Sequence, residues 1–206
     1  MTDKAGVDRP PPPPTPAHGT VFLPDQDGLG EWARATFIND DAPLLNSDHA
    51  HLRQAIIGWL WAYEPSEHRG KRLAGECRMP RPAGARWSQM MGEQQLRELF
   101  GGVPDFIITI DAELARMAEA DQFCALVEHE CYHAAQETDA FGAPRFNRDG
   151  RPIFTMRGHD VEQFLGVVER YGAAAAGVSD MVMAASLGSS LQRREIELAC
   201  ATCARV

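Results

Sequence analysis

Segment 129–133, which reads His-Glu-Cys-Tyr-His, constrains the fold of this 206-residue chain more than any other feature. Two histidines four positions apart lie one turn from each other on the same face of an α-helix. Apolar residues such as Phe123 and Val127 precede them at helical spacing. The pattern therefore predicts a helix over residues 122–137, capped by Asp121, that presents both imidazoles on one side.

The residue types in this segment are those of a metal site with a general base. His129 and His133 are spaced so that both imidazoles can bind one ion, and imidazole ligands favour Zn²⁺, the predicted cofactor. Glu130 lies beside His129 and is placed to accept a proton from a metal-activated water, then to pass it to a leaving amine. These residues predict a hydrolase in which Glu130 is the catalytic residue.

A catalytic zinc ion usually keeps three protein ligands and one open position, so a third ligand is expected downstream. His159 is the first candidate, because it begins the next predicted helix and completes a three-histidine site. Glu162, one turn further along that helix, is the alternative ligand. Asp160 is a candidate for orienting a ligating histidine through a hydrogen bond.

The remaining pattern predicts an α+β fold, in which a small mixed or antiparallel sheet supports the motif helix and further helices pack around it. The strand prediction is clearest where β-branched residues follow Pro104. Trp32 and Phe37 are expected to anchor the core. The predicted elements are helix 47–63, strand 71–79, helix 89–100, strand 105–111, helix 112–119, the motif helix, hairpin 144–156, helix 159–171 and helix 178–198.

Composition indicates one domain, over residues 20–199, between two tails. Residues 1–19 include a run of prolines and predict a disordered or polyproline II tail. Residues 200–206 carry Cys200 and Cys203. This lone C-x-x-C pair is compatible with idle thiols, a redox pair or half of a zinc site shared between two chains.

Several other side chains have a predicted environment. Cys124 and Cys131 are expected in the core, since free cysteine is among the most buried residue types. Surface positions are predicted for three further histidines, His49, His51 and His68. Oxyanion stabilisation is a candidate function of three polar side chains, Tyr132, Arg157 and Tyr171, with packing as the preferred interpretation for the last.

The acidic composition limits the partners of the protein. The formal charge is −9 and the pI is about 5.2, which disfavours nucleic acid. The weakly basic stretch over residues 69–86 is interpreted as a solvated strand edge and loop. No apolar run approaches the roughly 20 residues that span a bilayer, and the N-terminal residues lack an apolar secretory segment. We therefore expect a cytoplasmic protein without a membrane partner.

The paired histidines of the motif, followed by His159-Asp160-x-x-Phe164, resemble the zincin metallopeptidases, and within them the SprT-like group. The SprT-like pattern has glycine where this chain has aspartate. The stretch 157–172 and the closing 200–203 are more similar to the phage metallopeptidases, which are small prophage-encoded zincins.

This resemblance covers about residues 70–203 and implies a zincin-like fold, zinc ligands at the three motif-matching histidines and Glu130 as the base. The leading hypothesis is a zinc-dependent endopeptidase, rather than an exopeptidase, acting on proteins or peptides. Two alternatives stay open. One is a non-catalytic, zinc-stabilised interaction module of phage or prophage origin with a closed four-ligand site. The other is a SprT-like peptidase associated with nucleic acid, which the acidic charge disfavours. No sequence feature specifies an oligomeric state.

Overall fold

The structure is a computed structural model that describes residues 8–16, 19–68 and 70–191. Helices and strands are mixed along the chain, so the predicted α+β class is confirmed. Within the described residues, no helix combines the length and the apolar character needed to cross a bilayer. The elements are β1 (Phe22–Pro24), α1 (Leu29–Ala33), a π-helical turn (Arg34–Ile38), a 3₁₀ helix (Ser47–Gln54), β2 (Ile57–Ala62), β3 (Glu67–His68), β4 (Lys71–Arg72), β5 (Gly75–Arg78), α2 (Arg86–Phe100), β6 (Phe106–Asp111), α3 (Ala112–Met117), α4 (Ala120–His133), β7 (Ala134–Gln136), β8 (Phe154–Met156), α5 (Leu165–Ala175) and α6 (Ser179–Leu187).

Four of the described strands form one mixed sheet in the order β1-β2-β6-β5. Strand β2 runs parallel to β6 and antiparallel to β1, while β5 pairs antiparallel with β6 and forms one edge. The central strands β2 and β6 are largely buried on both faces, as expected of strands covered by helices on both sides. The predicted small sheet is therefore present in its mixed form.

Helices cover both faces of this sheet. On one face, Leu60 and Ile107 contact Leu96 and Phe100 of α2. The other face carries the larger core, built with α1 and α4, whose bulky members are Trp32, Phe37, Trp59, Trp61, Phe106, Ile108, Ile110 and Phe123. The predicted anchors of the core are among them and are fully buried.

Helix α4 confirms the predicted motif helix, although it begins and ends earlier than expected. Its N-terminus is capped by Glu119 in a capping box, not by the predicted Asp121. Phe123, Val127 and Cys131 recur one turn apart on this helix and are all 0% exposed. Burying a phenylalanine or valine side chain contributes about 1.5–3 kcal/mol. This burial decides which side of α4 faces the core.

The predicted helix over residues 47–63 is wrong. A 3₁₀ helix covers Ser47–Gln54, and the chain then enters strand β2. Trp59 and Trp61 lie two residues apart on the sheet face that carries the larger core, while Leu60 lies on the other. This alternation of bulky residues is typical of a buried strand, and pairing with β6 outweighs the helical spacing of the apolar residues.

The helix predicted over residues 159–171 begins later, as α5, and its Gly172 is non-helical. His159 therefore lies in an irregular segment and not at a helix N-terminus. The apolar side chains of Phe164 and Leu165, at the start of this helix, are each 80% exposed. Neither α5 nor α6 buries a residue. Apolar periodicity predicts which face of a helix is apolar, but it does not predict whether another element covers that face.

The other predicted helices and strands agree with the structure to within a few residues. Helix 89–100 corresponds to α2, strand 105–111 to β6 and helix 112–119 to α3, while strand 71–79 is divided into β4 and β5. The first part of helix 178–198 corresponds to α6. Its end, the domain boundary at residue 199 and the C-x-x-C pair lie outside the described residues.

A β-hairpin follows α4 directly. Strand β7 pairs antiparallel with β8, and a turn at Asn147–Gly150 lies between them, within the hairpin predicted over residues 144–156. The amide of Gly150 donates to the carbonyl of Asn147 (3.1 Å), and its φ of 76° suits glycine. The hairpin thus returns the chain to the C-terminal end of α4.

Residues 8–16 lie against the domain. This finding corrects the prediction of a disordered tail for the described part of residues 1–19. The carbonyl oxygen of Pro13 accepts hydrogen bonds from Tyr63 (3.0 Å) and Arg116 (2.7 Å). Because a polyproline segment leaves its carbonyl groups unpaired, donors on the domain surface can hold it.

Arg9 anchors this segment and is only 5% exposed. Its guanidinium donates hydrogen bonds to the carbonyls of Ala115 and Ala118, at the end of α3, where carbonyls have no helical partner. The same group lies 3.6 Å from the ring centroid of Phe123, within the range of a cation–π contact. Arg9 therefore ties the N-terminal segment to both α3 and α4.

The variant Arg9→Ala should lower the free energy of unfolding by about 2–3 kcal/mol, because buried carbonyls lose their donor and an aromatic ring loses its cation. Urea denaturation of the full-length chain measures this difference. Arg148→Ala is the matched control, since Arg148 is exposed in the hairpin turn, and it should leave stability unchanged. Equal stability of the two variants would contradict the anchoring function of Arg9.

Candidate metal centre

Two of the predicted ligands lie on the side of α4 that faces away from the core. His129 is exposed and His133 is half-buried. Their Nε2 atoms are 3.1 Å apart. The helical spacing read from the sequence therefore brings the two nitrogens together, as predicted.

The β7–β8 hairpin brings a third imidazole to the same place. Beyond β8, the amide of Arg157 donates to the carbonyl of His133 (3.0 Å). Two residues later, Nε2 of His159 lies 3.2 Å from Nε2 of His129. Distant positions in the sequence thus become neighbours because the hairpin returns the chain to the end of α4.

Contacts at the Nδ1 atoms orient two of these rings. Nδ1 of His133 lies 2.7 Å from the carbonyl oxygen of Arg157, which can only accept, so this nitrogen carries the proton. Nδ1 of His159 faces a carboxylate oxygen of Glu162 at 3.4 Å. In a neutral ring protonated at Nδ1, the Nε2 lone pair is available to a metal.

The three imidazoles fit a divalent metal ion. The ligand nitrogens of His129, His133 and His159 all lie within 4.8 Å of one another, and they are the one such group of His, Cys, Asp or Glu among the described residues. Two nitrogens bound to one tetrahedral zinc at 2.0–2.1 Å are about 3.3 Å apart. This separation is close to the 3.1 and 3.2 Å between Nε2 of His129 and the Nε2 atoms of His133 and His159. Burial, together with the two neighbouring histidines, lowers the pKa of His129, which favours the neutral form that binds metals.

Glu130 lies between α4 and the edge strand β5, with 4% of its surface exposed. The backbone amide of Cys77 donates a hydrogen bond to its carboxylate, while Oε2 has no partner among the described residues. A Cβ at Gly75 would lie 2.7 Å from Oε1, so the carboxylate occupies space that a glycine leaves open. Burial, and to a lesser extent the charge of Glu76, raises the pKa of Glu130 to about 7.

A polar network supports the other flank of the motif. The side-chain amide of Asn46 donates to a carboxylate oxygen of Glu128 and to the hydroxyl oxygen of Tyr132, both at 2.7 Å. Asn46 also caps the 3₁₀ helix by accepting from the amide of Asp48 (3.0 Å). One side chain thereby joins the 3₁₀ helix to the last two turns of α4.

The prediction of a surface position is correct for His68 but wrong for His49 and His51. His49 is 1% exposed, and its ring lies 4.6 Å from that of Tyr132 in an edge-on contact. Nε2 of His51 lies 2.7 Å from the carbonyl oxygen of Ala134, and burial lowers the pKa of His51. Both are covered because the 3₁₀ helix lies against the C-terminal half of α4.

The two acidic candidates flank the histidine cluster and do not join it. Asp160 accepts a hydrogen bond from Arg157 (2.7 Å), so its contact is with the guanidinium and not with a histidine. Glu162 faces Nδ1 of His159, the nitrogen on the opposite side of the ring from His129. This is the position of a carboxylate that orients a histidine.

The remaining predicted residues divide between core and surface. Cys124 and Cys131 are buried, as predicted. Tyr171 is 60% exposed, so the packing interpretation is wrong for this residue. Tyr132 and Arg157 lie side by side at the end of α4, with the guanidinium 5.6 Å from the ring centroid.

Sequence reasoning missed the residues that support Glu130 and the motif helix. Gly75 and Cys77 approach Glu130 only through the pairing of β5 with β6, and no local pattern marks such a contact. Asn46 was detectable, because an asparagine directly before a helical segment is a frequent N-cap.

A family model described as "Putative phage metallopeptidase" matches residues 30–186 of the chain. The protein belongs to this family, and the resemblance to phage metallopeptidases found in the sequence is confirmed. No curated protein and no solved structure gives a match. The resemblance to the SprT-like group stays a prediction.

Proposed function

We propose that this protein is a zinc-dependent endopeptidase with a zincin-like fold. In this proposal His129, His133 and His159 bind the metal and Glu130 is the general base. The observation that carries the proposal is the convergence of three imidazole nitrogens on one side of α4, in a chain of a metallopeptidase family. Three nitrogen ligands leave one tetrahedral position open, which a catalytic zinc requires.

The ligand count favours catalysis over a non-catalytic interaction module. A closed structural zinc site needs a fourth protein ligand, and none joins the cluster among the described residues. Cys131, the thiol inside the motif, is 0% exposed and belongs to the core. Its position on the buried side of α4 keeps it away from a metal held by His129 and His133.

Zinc, when bound, supplies Lewis acidity toward a peptide carbonyl and an attacking water. Glu130 takes a proton from the water as it attacks the carbonyl carbon. The hydrogen bond from the Cys77 amide holds the carboxyl group in place. Glu130 then donates the proton to the nitrogen of the leaving amine.

We further propose that an extended peptide substrate lies along the free edge of β5. Among the described strands, β6 alone pairs with β5, so the outer side of β5 is a candidate edge for an incoming strand. Two β5 residues, Gly75 and Cys77, contact Glu130, which brings a peptide on this edge close to the base. Because edge pairing needs no free terminus, it favours an endopeptidase.

Replacing His159 tests the third ligand. His159→Ala should weaken zinc binding by more than about 100-fold, whereas Glu162→Ala should weaken it by about tenfold, since carboxylate partners of ligating histidines typically contribute 10–100-fold. Competition with a chromophoric chelator measures both affinities. A larger loss in Glu162→Ala than in His159→Ala would assign the third ligand to Glu162.

The variant Glu130→Gln tests the base, because it keeps the size of the side chain and removes its ability to take a proton. Hydrolysis of a fluorogenic peptide library should fall at least about 100-fold, with zinc affinity unchanged. Chelator-treated wild-type protein provides the background rate. Hydrolysis at the wild-type rate by Glu130→Gln would refute the mechanism.

Gly75→Ala should displace the carboxylate of Glu130, because the new methyl group enters the space of Oε1. We expect kcat to fall about 10–100-fold, with zinc affinity retained. Gly102→Ala is the matched control, since a Cβ there meets nothing within 4 Å. If both variants hydrolyse peptide equally well, the placement of Glu130 against β5 has no catalytic consequence.

A further inference from the structure

The side chain of Arg157 contacts two residues that are adjacent in sequence to histidines of the cluster. Its guanidinium donates a hydrogen bond to Asp160 (2.7 Å), the residue after His159. The same group lies 5.6 Å from the ring centroid of Tyr132, the residue before His133. One side chain therefore links the last turn of α4 to the segment that carries the third imidazole.

Few other contacts hold the segment around His159: Nδ1 of His159 faces a carboxylate oxygen of Glu162 at 3.4 Å, and the side-chain amide of Gln163 donates to the carbonyl of Ala176 at 3.1 Å. Residues 157–164 contain no helix or strand, and residues 157–160 are all exposed. At the start of this segment, the amide and carbonyl of Arg157 both bond to His133. Beyond Arg157, holding the ring of His159 in one position costs conformational entropy of the chain. A side-chain contact directly after His159 therefore matters more here than it would within a regular element.

We propose that Arg157 is a positioning residue of the metal centre. Resting on the proposed function, this inference states that Arg157 holds His159 in its ligating orientation by pairing with Asp160 while lying against Tyr132. Arginine suits both contacts at once, because its planar guanidinium stacks through its face and donates through its edge, which lysine cannot do. Each contact alone is weak at an exposed surface, so the positioning depends on the combination.

Zinc affinity of the apoprotein, measured by competition with a chromophoric chelator, tests this inference. Arg157→Ala should weaken zinc binding roughly tenfold, at the lower end of the range for partners of metal ligands. Arg157→Lys keeps the charge without the planar group and should show an intermediate loss. Arg145→Ala is the matched control, because it removes an exposed ion pair with Glu137 from the same hairpin, and it should leave the affinity unchanged.

A double-variant cycle with Asp160→Ala tests the route by which Arg157 acts. If Asp160 works through Arg157, the variant that lacks both side chains should bind zinc about as tightly as Arg157→Ala alone. The difference between wild type and Arg157→Ala should also shrink at high salt, since salt screens an exposed ion pair. Fully additive losses would overturn the inference.

Thermal unfolding of the apoproteins separates positioning from folding, and Arg157→Ala should unfold at the same temperature as Arg145→Ala. If Arg157→Ala fails to fold, Arg157→Lys decides, and a wild-type affinity in that variant overturns the inference. Unchanged zinc affinity with reduced peptide hydrolysis also overturns it, because Arg157 then acts on the substrate. A wild-type protein that takes up no zinc overturns the proposed function itself, and this inference falls with it.

Discussion

Burial of one side of α4 against the central strands is the interaction on which the rest of the structure depends. Phe123, Val127 and Cys131 are fully buried one turn apart, and rotation of the helix would expose them to water at a cost of several kcal/mol. With this side fixed, the opposite side has a single orientation. His129 and His133 project from it with their nitrogens 3.1 Å apart. The geometry of the candidate metal centre is thus a consequence of core packing on the far side of the same helix.

The position of the third imidazole, that of His159, depends on the β7–β8 hairpin. The hairpin β7–β8 begins where α4 ends, and its return strand delivers Arg157 to the carbonyl of His133. Backbone hydrogen bonds of the hairpin fix the path of the chain up to that point, after which His159 stands in an irregular segment. A site built partly on a helix and partly on an irregular segment needs side-chain contacts to hold the latter. The pair of Arg157 with Asp160 is one such contact.

Glu130 illustrates how a sheet edge and a motif helix form one site. Its carboxylate is buried because β5 packs against α4, and it fits there because Gly75 has no side chain. The backbone amide of Cys77 keeps the buried carboxylate hydrogen-bonded, which reduces the cost of removing it from water. Among the described strands, β6 alone pairs with this strand. Glu130 and the outer edge of the sheet are therefore connected through a single short strand.

By itself, the sequence determined the local features of the protein: the motif helix, the strand of β6, the turn of the hairpin, the α+β class and the close approach of His129 and His133. These follow from short-range periodicity and turn chemistry, which act within a few residues. Tertiary structure alone decided that the apolar residues after Gln54 form a strand, because pairing with β6 outweighs their helical spacing. It likewise decided that Gly75 makes room for Glu130 and that Arg157 meets both neighbouring segments. Such contacts join residues far apart in the chain, and no local pattern encodes the packing that brings them together.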